Sequence, residues 1–477
     1  MPAKHKITNN SREIVNPSLG NFISSLRDVG YTFEIAVADV LDNSISASAK
    51  NISIYAIHEP DVVFAMLDDG VGLDEKGVRE AMRLASSNPA DKRPADDLGR
   101  FGLGLKTASF SQCRNLTVVS KKDGKLSARQ WDLDLLAERN EWCLLTPAID
   151  ELESLPLFSN LRSLKTGTLV VWRKVDRYEG ESFITEIDKL KKHLSLVFHR
   201  FLEARKRIKI SVNQDDLKPF NPFNPNNNAT QIGTESRTKL FGSDVKIQSF
   251  ILPHHSKISQ QEFERFATEE GYTRSQGFYL YRANRLLIWG TWWGLLKAID
   301  SYKLVRIAVD IDNDQDRLWG IDIKKSTAKP APEIRKLLAT AVAQAKEKGW
   351  KVYKQRGSKI SDATAIKFWD LVVGSNGTKF SLNKEHPLFG AVRNASDDTE
   401  MLDTYLAGIE QYIPLDAILL YLQENPFQIK QESKVSDEEL RKIIDKLRES
   451  GESEDFIDSV LDTELFKDRR GLFDNAS

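Results

Sequence analysis

The sequence is short of several things, and each shortage excludes a class. Its 477 residues hold only two cysteines, Cys113 and Cys143. Two are too few for a disulfide framework or a cysteine-based metal site, and they fit a reducing compartment. The formal net charge is -1, so no global positive field marks a nucleic-acid binder, although local basic surface is compatible with that balance. No stretch approaches the ~18 consecutive apolar residues of a membrane span. Ala417 to Leu422 is a short apolar run of the kind that sits in a core. Met1 to Asn10 is polar and lacks the apolar centre of a secretory leader. The expectation is a cytoplasmic protein with no membrane contact.

What remains is ordinary globular material, 40% hydrophobic and 29% charged. At ~100–200 residues per domain, the length allows two to four domains. No internal repeat is visible. Thr32 to Ser48 has apolar residues at Phe33, Ala36, Val37, Val40 and Leu41, the spacing of a helix face. Asn51 to Ile57 and Val62 to Leu67 read as strands, and Asp74 as the cap of a helix reaching Leu84. Ser86 to Asp97 is polar, holds Pro89 and Pro94, and reads as a loop. A helix from about Leu105 and strands at Leu116–Ser120, Ser127–Leu133 and Thr168–Trp172 complete helices layered on one largely antiparallel sheet.

A long helix, Ser182 to Ala204, reads as a connector. Strands at Val245–Leu252, Phe278–Arg282 and Leu304–Ile311, with a helix at Glu333–Lys348, make a second α/β segment. From about Ile360 the pattern is mostly helical. Within it, Asn383 to Pro387 reads as a helix-capping turn.

Four motifs stand in one order. Asp39 and Asn43 lie four apart, on one face of the first helix. A carboxylate there can take a proton from water, and an amide oxygen can hold magnesium. Alone, such a pair is more often a solvated face. Asp68-Asp69-Gly70-Val71-Gly72 ends a strand in a carboxylate that can accept the exocyclic amine of adenine, with two glycines allowing close backbone approach. Alone, it is as readily a tight turn. Gly99, Arg100, Phe101, Gly102, Leu103, Gly104, Leu105 and Lys106 lead into a helix. Unpaired N–H groups and the helix dipole make that turn an anion cradle, with Lys106 as a point charge. It has neither the Gly-Lys-Ser/Thr of a Walker loop nor a surrounding βαβ unit. Thr166-Gly167-Thr168 precedes an apolar strand, where the Thr168 hydroxyl can bond the adenine-reading carboxylate.

Together these motifs resemble the GHKL ATPase superfamily of gyrase, heat-shock chaperones, histidine kinases and MutL, over about residues 30–175. Ala38 to Ser44 is similar to its N-box, Asp68–Gly72 and Gly99–Lys106 to its two glycine boxes, and Thr166–Thr168 to its last box. The resemblance implies ATP and magnesium as ligands. Asn43 would ligate the metal, Asp68 would read adenine together with Gly70, Gly72 and Thr168, and Gly99–Lys106 would wrap the phosphates. Ser86–Asp97 would be the lid, and Asp39 the group that orients the attacking water. The family usually has glutamate at the position of Asp39. A reacting group displaced by about 1 Å can cost ~10²-fold in rate, so either the backbone compensates, or an extra water relays the proton, or hydrolysis is slow.

Leu98–Ser109 and Leu67–Gly72 look most like the MORC and MutL-related branch, which places a transducer domain after the pocket. Gln276–Ile288 resembles a transducer strand pair, and Trp319–Pro330 resembles the loop whose lysine reaches the terminal phosphate. Lys325 and Lys329 are both candidates, against the plain alternative that Lys324-Lys325 is a solvated strand end. The expected architecture is α/β, an α+β sandwich. A Bergerat ATPase domain at 1–178 precedes a transducer-like, ribosomal S5-type α/β domain at 179–355 and a helical domain at 356–477. The implied function is an ATP-gated switch that dimerises on ATP and works on DNA beside a separate nuclease subunit, in a restriction or phage-defence-like setting. A chaperone-like or regulatory ATPase acting on protein clients is the alternative.

Overall fold

The computed structural model describes residues 18–84, 98, 104–178, 180–205, 207–268, 271–299, 302–322, 325, 327–357, 365–374, 377–424 and 435–473. These fall into two compact units. The first runs to Leu252 and resumes over Phe266–Lys346; the second takes Pro253–Arg265 and the chain from Glu347 onward.

The first unit opens with helices α1 (Leu19–Arg27) and α2 (Phe33–Ser46), strands β1 (Asn51–Ile57) and β2 (Val63–Asp68), and helices α3 (Glu75–Met82) and α4 (Gly104–Gln112). Strands β3 (Cys113–Lys122) and β4 (Lys125–Asp132) follow. Then come short helices α5 (Leu133–Arg139), α6 (Ile149–Glu153) and α7 (Phe158–Ser163), strand β5 (Gly167–Val175), and helices α8 (Gly180–Val197) and α9 (His199–Glu203). Strands β6 (Lys209–Val212) and β7 (Asp215–Asp216) close a seven-stranded sheet in the order β4-β3-β5-β2-β1-β6-β7. It is antiparallel except where β1 lies parallel to β6.

The core follows from strand alternation. Phe64 and Met66 of β2, with Val170 and Trp172 of β5, face the helices; Ala65, Leu67, Leu169 and Val171 face the other way, onto α6 and α7. Both faces are therefore covered, which is why these strands read as near-continuous apolar runs. On the helical face Phe33 is fully buried, with Phe64, Trp172 and Phe183 packed edge-on around it at 5.9, 6.1 and 5.2 Å.

Strands β8 (Gln231–Ile232), β9 (Ser236–Leu240), β10 (Ser243–Ile251), β11 (Gly277–Arg282), β12 (Arg285–Thr291) and β13 (Val305–Ile311) build a second sheet, ordered β12-β11-β13-β10-β8 with β9 also on β10. Helices α10 (Gln260–Ala267), α11 (Gly271–Arg274) and α12 (Pro332–Gly357) accompany it in sequence. β11 and β12 are joined by Ala283-Asn284, both at positive φ (46° and 69°). That pair of dihedrals is the two-residue turn that matches strand twist, and it sets Arg282 directly opposite Arg285.

The second unit contains a hairpin of β14 (Trp369–Gly374) and β15 (Gly377–Leu382), then α13 (Pro387–Asn394), α14 (Thr399–Gln411), α15 (Leu415–Glu424), α16 (Asp437–Glu449) and α17 (Glu454–Leu461). Its core is Leu440 and Ile444 of α16 against Ile457, Val460 and Phe466. Ser436 and Glu439 form a reciprocal capping box at the start of α16. His386 caps α13 by accepting from Leu388 N, as its turn suggested.

Several sequence expectations need correction. α1 precedes the helix taken as first, because its periodic face (Leu19, Ile23, Arg27) is short. Ser182–Ala204 is two helices broken at Phe198. The first of them is no free connector, since Phe183, Leu190 and Leu194 are buried in the first core. The β14–β15 hairpin interrupts a region read as helical. Ala417–Leu422 is not core: Leu419, Leu420 and Tyr421 are half exposed or more.

Gly72 offers a direct check of the fold. It sits at φ +66°, and a Cβ there would lie 2.1 Å from Lys121 O. Gly72→Ala should destabilise the protein by on the order of 2 kcal/mol or more. Thermal unfolding in the absence of nucleotide measures this; an unchanged midpoint would contradict the described turn.

Candidate functional site

Asp68 ends β2 nearly buried, at 5% exposure. One carboxylate oxygen accepts from Gly70 N at 2.9 Å and the other from Ser44 Oγ at 2.8 Å. Burial pushes the Asp68 carboxyl up, opposed by these bonds and one from the Thr168 main chain. Asp69 holds the turn from outside, accepting from Lys50 N and Asn51 N at 2.6 and 2.9 Å. Burial raises its pKa, but the bonds from Asn51 and Lys50 outweigh that, and the net shift is downward. Gly70 has no room for a side chain, because a Cβ would meet Ala47 at 2.8 Å.

The Thr168 hydroxyl, expected on the adenine-reading carboxylate, lies 2.9 Å from Ser120 Oγ instead. Ser120 and Thr168 are cross-strand partners on β3 and β5, so their hydroxyls meet. Thr168 reaches Asp68 through its backbone. Ser44 and Ser120, neither singled out in the sequence, thus complete this corner; Ser120 also receives Leu73 N at 2.8 Å.

Asn43 is exposed on α2. Its amide nitrogen donates to Asp39 O and Val40 O, both at 3.3 Å, so its Oδ1 is the atom left for a cation. α4 packs on α2, which brings the glycine-led helix beside the helix of Asn43. Gly104 faces open space, and Leu105 is partly buried against the core. Lys106 does not project as a point charge. Its ammonium donates to Ala81 O at 2.9 Å, near the end of α3, and burial pulls its pKa down to about 8. Gly99, Arg100, Phe101, Gly102, Leu103 and the Ser86–Asp97 lid lie outside the described residues.

The N-box helix also carries two buried carboxylates, Asp39 and Asp42, at 3% and 2% exposure. Arg285, on the β11–β12 hairpin, donates to Asp42 at 2.7 Å and to Asp39 at 3.2 Å. Lys325 donates to Asp39 at 3.1 Å and to Asp42 at 2.5 Å. The Tyr31 hydroxyl donates to the second oxygen of Asp39 at 3.0 Å. Burial pushes the Asp39 carboxyl up, and Lys325 and Arg285 offset only part of that rise. Burial and Asp39 raise Tyr31, keeping its proton on the phenol. Across the same two-residue turn, Arg282 is fully buried, bonded to Asp316 at 2.6 Å and to Leu98 O at 2.5 Å, next to the second glycine box.

Of the two candidate loop lysines, Lys325 therefore meets the N-box carboxylates, whereas Lys329 has an exposed side chain and a main-chain bond to Trp319 O at 2.9 Å. Sequence reading missed Asp42, Tyr31, Arg282 and Arg285. The available signals were an acid three residues after Asp39 on a strongly apolar helix, and two arginines flanking a turn in an apolar hairpin.

Residues 31–168 match the family of histidine kinase-, DNA gyrase B- and HSP90-like ATPases. This part of the chain is a GHKL-type ATPase domain. Over 94 residues the chain is 32% identical to ATPase morc-1 of Caenorhabditis elegans, a match covering 20% of this chain and 11% of that protein. The likeness supports a MORC-like branch, and the chain spans about a tenth of that relative's length. The ATPase domain sits in a mixed α/β fold, and no described helix is long and apolar enough to cross a membrane.

The buried quartet is charge-balanced, two carboxylates against two cations. Arg285→Ala should leave an uncompensated buried carboxylate and cost roughly 3–5 kcal/mol. Asp42→Asn combined with Arg285→Ala should recover part of that loss. Urea unfolding of the two single variants and the double variant measures the coupling; strict additivity would show that the pair does not interact.

Proposed function

We propose that this protein is an ATP-gated switch in which the ATPase domain binds magnesium-bound ATP, closes with a second copy, and passes the change to the following α/β segment. DNA and a separate nuclease subunit, in a restriction or defence-like setting, are the proposed targets, on the strength of the MORC-like similarity. The observation that carries the gating is that Arg285 and Lys325, both from beyond the ATPase domain, hold the two carboxylates of its N-box helix.

The residues suit a nucleotide. Asp68 has a fixed carboxylate for the adenine amine, and Gly104 opens a helix whose first N–H groups suit phosphate. The amide oxygen of Asn43 is a hard ligand suited to magnesium. When bound, magnesium would offset triphosphate charge. Asp39 would take the proton of the attacking water, and at rest Tyr31, Arg285 and Lys325 already occupy its oxygens. A terminal phosphate competing for Lys325 would leave Asp39 less neutralised, linking nucleotide arrival to activation. Such a ligand shifts the resting arrangement only as far as it binds the released one more tightly.

Calorimetry on Asp68→Asn should show ATP affinity lowered at least tenfold, about 1.4 kcal/mol, in a folded protein. Asp39→Ala should bind ATP yet lose phosphate release; retained turnover would refute the assigned base. Lys325→Ala should impair turnover more than Lys329→Ala.

Light scattering with a non-hydrolysable ATP analogue should show the mass doubling, and an unchanged monomer at high concentration would sink the dimerising switch. DNA affinity should fall steeply with salt, the mark of phosphate contacts. No DNA binding at low salt with ATP present would favour protein clients instead.

A further inference from the structure

Among the described residues, the second unit displays an apolar surface that is exposed. On α14, Met401, Tyr405, Ile409 and Tyr412, at the helix's C-terminal cap, follow at steps of four, four and three, one helix face; Met401 is 69% and Tyr412 77% exposed. On α15, Leu415, Ile418, Leu419 and Leu422 repeat the pattern at steps of three, one and three, and all are exposed. No residue of α14 is buried. The facing side chains Leu371 and Phe380 of the β14–β15 hairpin are exposed as well. Ten or more large apolar residues in one stretch exceed the scattered single ones of an ordinary surface.

Along α14 and α15 the charge has one sign, whereas the hairpin carries Lys379. From Asn394 to Phe427 the sequence has seven Asp and Glu residues and no Lys or Arg. Among them, Asp403 is paired with Arg393 and Glu410 accepts from Leu382 N. Glu400 and Asp416 are exposed on the helices themselves. Apolar anchors at helical spacing within an acidic field are the negative of a basic amphipathic helix.

We infer that α14 and α15 form a docking surface for a protein partner presenting a helix with an apolar stripe flanked by lysine or arginine. Nucleic acid does not fit, since phosphate would meet carboxylates and apolar side chains. A second copy fits poorly, because a two-fold contact sets the same patch against itself, acid against acid. Helix α16 of the same unit is no match for it: with five Asp and Glu against four Lys and Arg it is acidic on balance, and it buries Leu440 and Ile444 in its own core. This surface stands independently of the nucleotide reading.

The test uses the full chain without nucleotide and two fluorescently labelled amphipathic 18-residue peptides, one of leucine and lysine, the other of leucine and glutamate. Anisotropy should show at least tenfold tighter binding of the lysine peptide, weakening as salt rises. Tyr405→Ser with Leu419→Ser, which removes apolar contact at constant charge, should cost at least tenfold. Glu400→Lys with Asp416→Lys should remove most of the preference between peptides. Unaltered thermal unfolding should accompany both pairs, since these side chains are exposed. Equal binding of the two peptides, no binding, or lysine-peptide binding indifferent to both double variants would overturn the inference. So would a peptide-free dimer in light scattering that Tyr405→Ser with Leu419→Ser returns to monomer, which would assign the surface to a second copy.

Discussion

Two carboxylates on one helix can be buried here only because two cations reach them from far along the chain. Asp42 and Arg285 are 243 residues apart, and Asp42 and Lys325 are 283 apart. Each ion taken from water costs several kcal/mol unless it is paired and hydrogen-bonded. The N-box helix as folded therefore presupposes the second sheet, and the second sheet's hairpin turn points its charge into the ATPase domain. Such a network is poor at gradual change: losing one member strands the others, so it favours discrete arrangements over intermediate ones.

The connecting turn is short. Ala283-Asn284 is a two-residue turn with both residues left-handed, and its flanking arginines act at two places. Arg285 holds the N-box carboxylates, while Arg282 holds the carbonyl of Leu98 and the carboxylate of Asp316. The helix of Asn43 and the residue before the glycine-rich turn are thereby tied to one hairpin. In the proposed switch, a nucleotide that shifts either contact acts on the same rigid element, which requires no longer pathway through the molecule.

Local patterns were legible in the sequence because local physics makes them. The spacing of Phe33, Ala36, Val37, Val40 and Leu41 marks α2, and Asp74 caps α3 by accepting from Gly77 N at 2.7 Å. The Asp68 corner could be read in outline because a carboxylate at a strand end followed by glycines is a contiguous pattern. Its serines could not: Ser44 and Ser120 acquire meaning only through the packing of α2 on the sheet and the register of β3 with β5. The same limit hid Arg285 and Asp42, whose meeting is a fact of tertiary structure. Lys106 shows the converse. Its position after the glycine box suggested phosphate, yet the carbonyl of Ala81 lies within reach. The run Ala417–Leu422 is apolar enough for a core, but composition does not say whether that core lies within one chain.

The aspartate at position 39 gains a physical rationale from its neighbours. Tyr31, Arg285 and Lys325 converge on a carboxylate held close to the helix backbone, and Asp42 shares both cations from one turn along. A glutamate would carry its carboxylate one methylene further out and would need a different placement of all three donors. Within the proposed switch, the shorter side chain suits holding the second sheet at rest, at the expense of reach toward a water. Holding the second sheet and activating water then make opposing demands on one residue, and a protein that acts by ATP-dependent closure can favour the first.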